Sequence, residues 1–329
     1  MSVKLDPATL AEAVRGGNRR ALARAITLIE SSRTEDRELA MALIERLSAG
    51  VADALRIGIS GAPGVGKSTF IAAFGLVAIE QQRRVAVLSV DPSSSVGGGS
   101  ILGDKTRMQE LSRHPDAYVR PTPAGPMLGG VARHTPEAIL LCEAAGFDLT
   151  IVETVGVGQS ETAVVEMTDM FVLLLMPASG DQLQGIKRGI MELADLVLVN
   201  KADGELIRVA RRAADDFQLA LGLIPPRSKY WTPPVQLCSA LTGEGIPAAW
   251  ELVCRYHQTM TGSGAIAAKR ADQAKTWMWN ETTQSLIEAF RNHPKVRDRL
   301  PALEAAVAAG QLPSAVAAKQ LLDAFFRQL

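Results

Sequence analysis

The sequence predicts an α/β fold, a mostly parallel sheet flanked by helices, with a helical cap before it and a helical arm after it. Three observations carry this reading. Short apolar runs of strand length recur through the middle of the chain, helical patterns lie between most of them, and a glycine-rich phosphate-binding signature joins the first such strand to the next helix.

Leu55 to Ser60 reads as a short apolar strand. Gly61-Ala62-Pro63-Gly64-Val65-Gly66-Lys67-Ser68 follows it and fills every fixed position of G-x-x-x-x-G-K-[ST]. Glycines let the chain fold tightly around phosphate oxygens, and backbone N–H groups at the start of the next helix point inward. Lys67 reaches the terminal phosphates, the Ser68 hydroxyl can hold Mg²⁺, and Thr69 completes the phosphate-side set. A Gly-rich turn that merely joins strand to helix is the plain alternative, and the strand and helix flanks argue against it. The expected class is a P-loop NTPase.

The base is named by a second segment. Leu196 to Val199 is a buried-strand run that delivers Asn200-Lys201-Ala202-Asp203 at its carboxyl end, where ligands sit in open α/β sheets. An Asp203 carboxylate there can accept from both N1 and the exocyclic N2 of guanine, a donor pair that adenine lacks. Alone, Asn-Lys-Ala-Asp before Gly204 could be an ordinary turn; downstream of a phosphate loop it reads as guanine recognition. Cys238-Ser239-Ala240, after the strand-like Pro234 to Leu237, resembles the third base-contacting loop of G proteins and extends the expected nucleotide set to Ser239, Ala240 and Leu241. GTP and GDP are the expected ligands.

Further strands are expected at Arg84 to Val90, Thr150 to Glu153, Phe171 to Met176 and Val235 to Leu237. Asp6 to Ser48 reads as helices with apolar stripes through Leu22, Ile26 and Ile29, then Leu39, Leu43 and Leu47. From Glu244 onward the pattern is helical, interrupted at Thr261 to Gly264, Pro294 and Pro313. The expected division is 1–53 helical extension, 54–262 nucleotide domain and 263–329 helical dimerisation region. Trp277, Met278 and Trp279 cluster in that last part and suit either ordinary core or a subunit interface. A homodimer is expected from them.

Asp91 stands at the end of the strand running from Val85 to Val90, and Glu153 at the end of another. Mg²⁺ takes hard oxygen ligands and keeps waters, so Ser68, Asp91 and Glu153, with Asp104 as a further candidate, would suffice beside the triphosphate. Asp91 could instead cap the turn before Pro92, and Asp104 a helix. Glu153-Thr154-Val155-Gly156 occupies the place of the D-x-x-G element, and Gly156 could donate its N–H to the γ-phosphate. Lys67, Asp91, Glu153 and Gly156 are thus the expected catalytic group. Val157 follows where Ras-like GTPases carry the water-orienting glutamine, so slow intrinsic hydrolysis is expected. Residues 93–100, 102–108 and 177–188 read as loops, and better as switches around a triphosphate.

Composition narrows the rest. The 329 residues are 47% hydrophobic, enough for one large core, and 35 basic residues cancel 35 acidic ones. No net field draws nucleic acid or an anionic membrane, so neither is an expected partner. Residues 1–16 lack a continuous apolar stretch, arguing against a leader peptide, and no apolar run is long enough to span a bilayer. Cys142, Cys238 and Cys254 are isolated and fit reduced thiols in a cytoplasmic protein. The four histidines show no metal-ligand spacing.

The phosphate loop, Val90-Asp91-Pro92-Ser93-Ser94, Gly103-Asp104-Lys105-Thr106-Arg107-Met108, Glu153-Thr154-Val155-Gly156-Val157-Gly158-Gln159-Ser160-Glu161 and Asn200-Lys201-Ala202-Asp203 together resemble, in order, segments of the MeaB/ArgK GTPases, chaperones of the adenosylcobalamin enzyme methylmalonyl-CoA mutase. The phosphate loop is generic; Asp-Pro-Ser-Ser and Glu-Thr-Val-Gly-Val-Gly-Gln-Ser-Glu are specific. The resemblance implies a dimeric GTPase that gates cofactor delivery to the mutase and protects it. It also implies magnesium-side roles for Asp91, Asp104 and Glu153, and a mutase-responsive switch at 177–188. A phosphotransferase acting on a transport protein and a metal-insertion GTPase are the competing readings. The first lacks a recognisable acceptor-side base, and the second commonly carries His- or Cys-rich tracts that are missing here.

Overall fold

The computed structural model describes residues 6–31, 33–49, 54–91, 108–123, 133–154, 161–177 and 188–326. The chain forms two compact units, 1–267 and 268–329.

In the first unit β1 (Leu55–Gly61), β2 (Val85–Asp91), β3 (Ala117–Pro123), β4 (Leu149–Thr154), β5 (Met170–Leu175), β6 (Leu196–Val199) and β7 (Val235–Leu237) make one sheet in the order β3-β2-β4-β1-β5-β6-β7. Every pairing is parallel. Strands buried on both faces read as continuous apolar runs rather than alternating ones, and β5, Met-Phe-Val-Leu-Leu-Leu, is buried at all six positions. Six strands match the expected ones within a few residues. β3 does not appear among them, because Pro121 and Pro123 break its pattern; proline is tolerated at a sheet edge, where β3 lies. Several termini shift by a residue; at the phosphate side, β4 runs through Glu153 to Thr154, and β1 takes in Gly61, the first residue of the phosphate loop.

Helices cover this sheet. α1 (Pro7–Arg15), α2 (Arg19–Ile29) and α3 (Thr34–Ser48) form the amino-terminal cap. Asp6 caps α1 by accepting from Thr9 N at 3.0 Å, and Asn18 caps α2 by accepting from Arg20 N at 3.0 Å. Leu22, Ile26, Leu43 and Leu47 are fully buried, as their helical spacing predicts. The cap reaches the sheet edge through Arg120 of β3, whose Nη2 meets Glu30 Oε2 at 2.6 Å.

α4 (Lys67–Glu80) follows β1, α5 (Gln109–Arg113) precedes β3, and α6 (Thr135–Ala144) precedes β4. α7 (Glu161–Val165) and α8 (Arg188–Met191) flank β5, α9 (Ile207–Gly222) follows β6, and α10 (Ile246–Gly262) closes the unit. Phe70 and Phe74 of α4 stack at 5.4 Å, and Phe74 meets Trp250 of α10 edge-on at 5.6 Å. Burying each such side chain stabilises by about 1.5–3 kcal/mol.

Buried charge near the amino ends of the strands is paired. Arg56 of β1 forks onto both oxygens of Glu143, at 2.6 and 2.8 Å. Asp169 accepts from Arg56 N at 2.9 Å, and Asp195 from Phe171 N at 2.9 Å. These carboxylates hold strand ends opposite the ligand side, and their work is structural.

The second unit contains most of α11 (Ala265–Asn292), with α12 (Pro294–Ala308) and α13 (Ser314–Phe326) packed on each other. Phe290, Phe325 and Phe326 form a small aromatic cluster with centroid spacings of 5.5 Å. Met278 and Trp279 are 56% and 65% exposed, which disfavours the ordinary-core reading of that cluster. Among the described residues, no helix is long and apolar enough to cross a membrane.

Candidate nucleotide site

The chain turns from β1 into α4 through a loop whose glycines are needed. Gly64 and Gly66 have φ of 81° and 92°, the left-handed region that side-chain-bearing residues avoid. Gly66 also has a packing reason: a Cβ there would stand 2.8 Å from Asn200 Nδ2. Val65 N donates to Ala62 O at 3.2 Å, closing the turn. Lys67 and Ser68 open α4, so the helix amino terminus, with its inward N–H groups and positive dipole end, faces the loop. Lys67 Nζ donates to Gly61 O at 2.8 Å, which keeps the ammonium over the loop. Ala62, Pro63 and Thr69 are exposed, and Val65 is buried beneath them.

Beside this loop lies a cluster of buried oxygen donors. Ser68 Oγ donates to Glu153 Oε1 at 3.0 Å, and Ser89 Oγ of β2 donates to Glu153 Oε2 at 2.9 Å. The carboxylate is only 6% exposed and is aimed by these two hydroxyls; hydrogen bonds to a charged group contribute about 1.5–3 kcal/mol each. A hydroxyl and a carboxylate at this spacing are a hard-oxygen donor pair of the kind Mg²⁺ takes while retaining waters. Asp91 is the last residue of β2. Asp104, Gly156 and Val157, with most of the three expected switch loops, lie outside the described residues. Ser89 was not among the expected site residues, since a serine inside an apolar strand carries no motif.

The base-side loops are tied to the phosphate loop by one residue. Asn200 Nδ2 donates to Val65 O at 2.8 Å, while its Oδ1 accepts from Ala240 N at 2.9 Å. Lys201 follows with φ of 58° and an exposed side chain. The Ser239 hydroxyl donates to Asp203 Oδ2, and Thr242 N donates to Ser239 Oγ at 3.2 Å, so the Asp203 carboxylate is held by the loop after β7. Leu241, 84% exposed, stands at that loop's tip. Cys238 packs against Asn200, with its thiol pushed up to about 12 by burial, and stays a neutral thiol. The structure thus gathers Asn200, Asp203, Ser239 and Ala240 from two segments far apart in sequence. An acceptor carboxylate here suits the paired donors of guanine.

A parallel sheet with a phosphate loop after β1 and an Asn-Lys-x-Asp segment after β6 defines a P-loop GTPase. Comparison with known proteins refines the class. Residues 22–295 match the family described as methylmalonyl Co-A mutase-associated GTPase MeaB, and the chain belongs to that family. It is 51% identical over 319 residues to the mitochondrial methylmalonic aciduria type A homolog of Mus musculus, covering 94% of this chain and 77% of that one. To GTPase ArgK of Escherichia coli it is 43% identical over 286 residues, 86% of each chain. Its fold is similar to the crystal structure of an LAO/AO transport system kinase, with a TM-score of 0.75, 33% identity and full coverage of both chains.

Proposed function

We propose that this GTPase couples GTP cleavage to the state of methylmalonyl-CoA mutase, gating adenosylcobalamin delivery to that enzyme and protecting it from inactivation. The observation that carries the reading is membership of a family described as mutase-associated. The mouse relative's name points the same way. In this reading the amides of Gly61 to Thr69 cradle the phosphates, Lys67 neutralises charge on the β- and γ-groups, and Asp203 reads guanine with Asn200, Lys201, Ser239, Ala240 and Leu241 around it. Ser68, Asp91, Asp104 and Glu153 hold Mg²⁺, which when bound supplies positive charge to the terminal phosphate oxygens. Gly156 contacts the γ-phosphate. With Val157 in place of a water-orienting glutamine, the free protein hydrolyses slowly and its partner supplies what is missing.

The working form in this proposal is a cytoplasmic homodimer joined through 263–329, supported by the exposed Met278, Trp279 and Leu286 of α11. The test is to mix the protein with the mutase, follow phosphate release at saturating GTP, and compare complex affinity with GDP and a non-hydrolysable GTP analogue. Accelerated release and nucleotide-dependent affinity are expected together, because linkage is reciprocal. No acceleration with identical affinities overturns the proposal. The kinase name of the structural relative favours a second reading, phosphoryl transfer to a protein. GTP labelled on its γ-phosphate separates the two: free phosphate supports the GTPase switch, and labelled protein supports transfer.

A further inference from the structure

Glu153 and Thr154 are adjacent at the carboxyl end of β4, so their side chains leave opposite faces of the sheet. Glu153 faces the phosphate loop and its two serines. Thr154 faces the other way, where its Oγ1 donates to Ser60 Oγ at 2.8 Å. Ser60 Oγ in turn donates to Glu161 Oε1 at 3.5 Å, the outer limit of a hydrogen bond. The three residues come from β1, β4 and the first position of α7, and are 1%, 0% and 4% exposed respectively.

The position of this relay is informative. The registered pairing of β1 with β4 ends at Ile59 and Glu153. Ser60 and Thr154 are the next residues on each strand, so the side-chain bond continues the link where the main-chain pairing stops. Immediately beyond Ser60 the phosphate loop begins, and immediately before Thr154 stands Glu153. The relay also has a direction. Ser60 gives its one hydroxyl proton to Glu161, which leaves the Ser60 oxygen to accept from Thr154. α7 and the turn after it pack tightly on β1: a Cβ on Gly58 would meet Val164 Cγ1 at 2.4 Å and Thr168 Oγ1 at 3.0 Å. Burying two hydroxyls and a carboxylate costs more than an apolar cluster of the same volume, so packing alone does not account for their presence.

We infer that Ser60, Thr154 and Glu161 are positioning residues for GTP hydrolysis, fixing the strand end that carries Glu153 at a set distance from the phosphate loop. This rests on the GTPase activity and is independent of the mutase reading. The test uses the full chain with Thr154→Val, Thr154→Ser, Ser60→Ala and Glu161→Gln. Three quantities are read: single-turnover GTP cleavage, GDP affinity by fluorescence titration, and thermal melting.

Thr154→Val and Ser60→Ala are expected to slow cleavage about tenfold, in keeping with the cost of small displacements of reacting groups, while GDP affinity stays within about twofold. Thr154→Ser, which keeps the hydroxyl, should recover most of the rate. A native cleavage rate in Thr154→Val overturns the inference. So does a loss that tracks GDP affinity and melting and is not recovered by Thr154→Ser. Should Thr154→Val fail to fold, Glu161→Gln carries the test. Its amide can donate and so scramble the relay's direction; slowed cleavage with native GDP affinity supports the inference, and a native rate overturns it.

Discussion

Replacing Asn200 by alanine should disconnect the base-side loops from the phosphate loop. Asn200 is 1% exposed, donates to Val65 O at 2.8 Å and accepts from Ala240 N at 2.9 Å. Its amide has no slack, since even a Cβ on Gly66 would come within 2.8 Å of Nδ2. Asn200→Ala leaves a buried carbonyl and a partly buried N–H without these partners. Each orphan costs about 1–3 kcal/mol, and a water entering the space would offset part of it, so the expected total is about 2–4 kcal/mol. Expressed wholly in affinity, that is a loss of about 30- to 700-fold. GDP and GTP should weaken by the same factor, because the bonds that are lost do not involve the γ-phosphate. Fluorescent-nucleotide titration, with urea unfolding of the nucleotide-free protein to catch the share that falls on stability, measures both parts. Native GDP affinity together with an unchanged unfolding midpoint would refute the bridging role.

Asp203→Asn should weaken GTP binding by about 1.5–3 kcal/mol, the range for a hydrogen bond to a charged group; equal affinity of the native protein for GTP and ATP in a competition titration would sink the guanine assignment. Lys67→Ala should lose hydrolysis more severely than GDP binding, because the ammonium matters most where charge builds on the β- and γ-phosphates. Turnover at the native rate would end that reading. Cys142 and Cys238 are buried, with thiols pushed up by desolvation, while Cys254 is half-buried. A thiol reagent near pH 8 should therefore label one site readily in the native protein and all three after denaturation; three fast sites in the native state would contradict the packing around β4 and β6.

The sheet was legible because its inner strands are covered on both faces, which leaves uninterrupted runs such as Leu196 to Val199. β3 was not, because its prolines and Arg120 write no such run; its place depends on a neighbour, β2, and on Glu30 from a helix far away in sequence. The phosphate loop and Asn-Lys-Ala-Asp are local, since one short stretch supplies most of what each does. Ser89, and the bond from Ser60 to Thr154, are relations between strands brought together only by folding. A serine among valines and leucines gives no hint of the carboxylate it will meet. Asn200 lies between these cases: its motif marks it, but not its tie to Val65.

The two margins of the sheet carry a consequence for how copies of this chain can associate. Along β3 the N–H of Ala117 is turned to His114 O at 3.2 Å, away from β2. Val119 shares that outward side with the prolines at 121 and 123. Of the outward donor positions, Val119 alone keeps an N–H to offer a visiting strand. At the opposite margin β7 is three residues long and follows Pro233 and Pro234. Among the described residues, both rims are poor templates for adding another chain's strand, which disfavours a second copy joining by prolonging the sheet. Side chains on helices and loops are then the favoured material for any self-association, which surface substitution could tune without touching the hydrogen-bonded frame that holds the nucleotide.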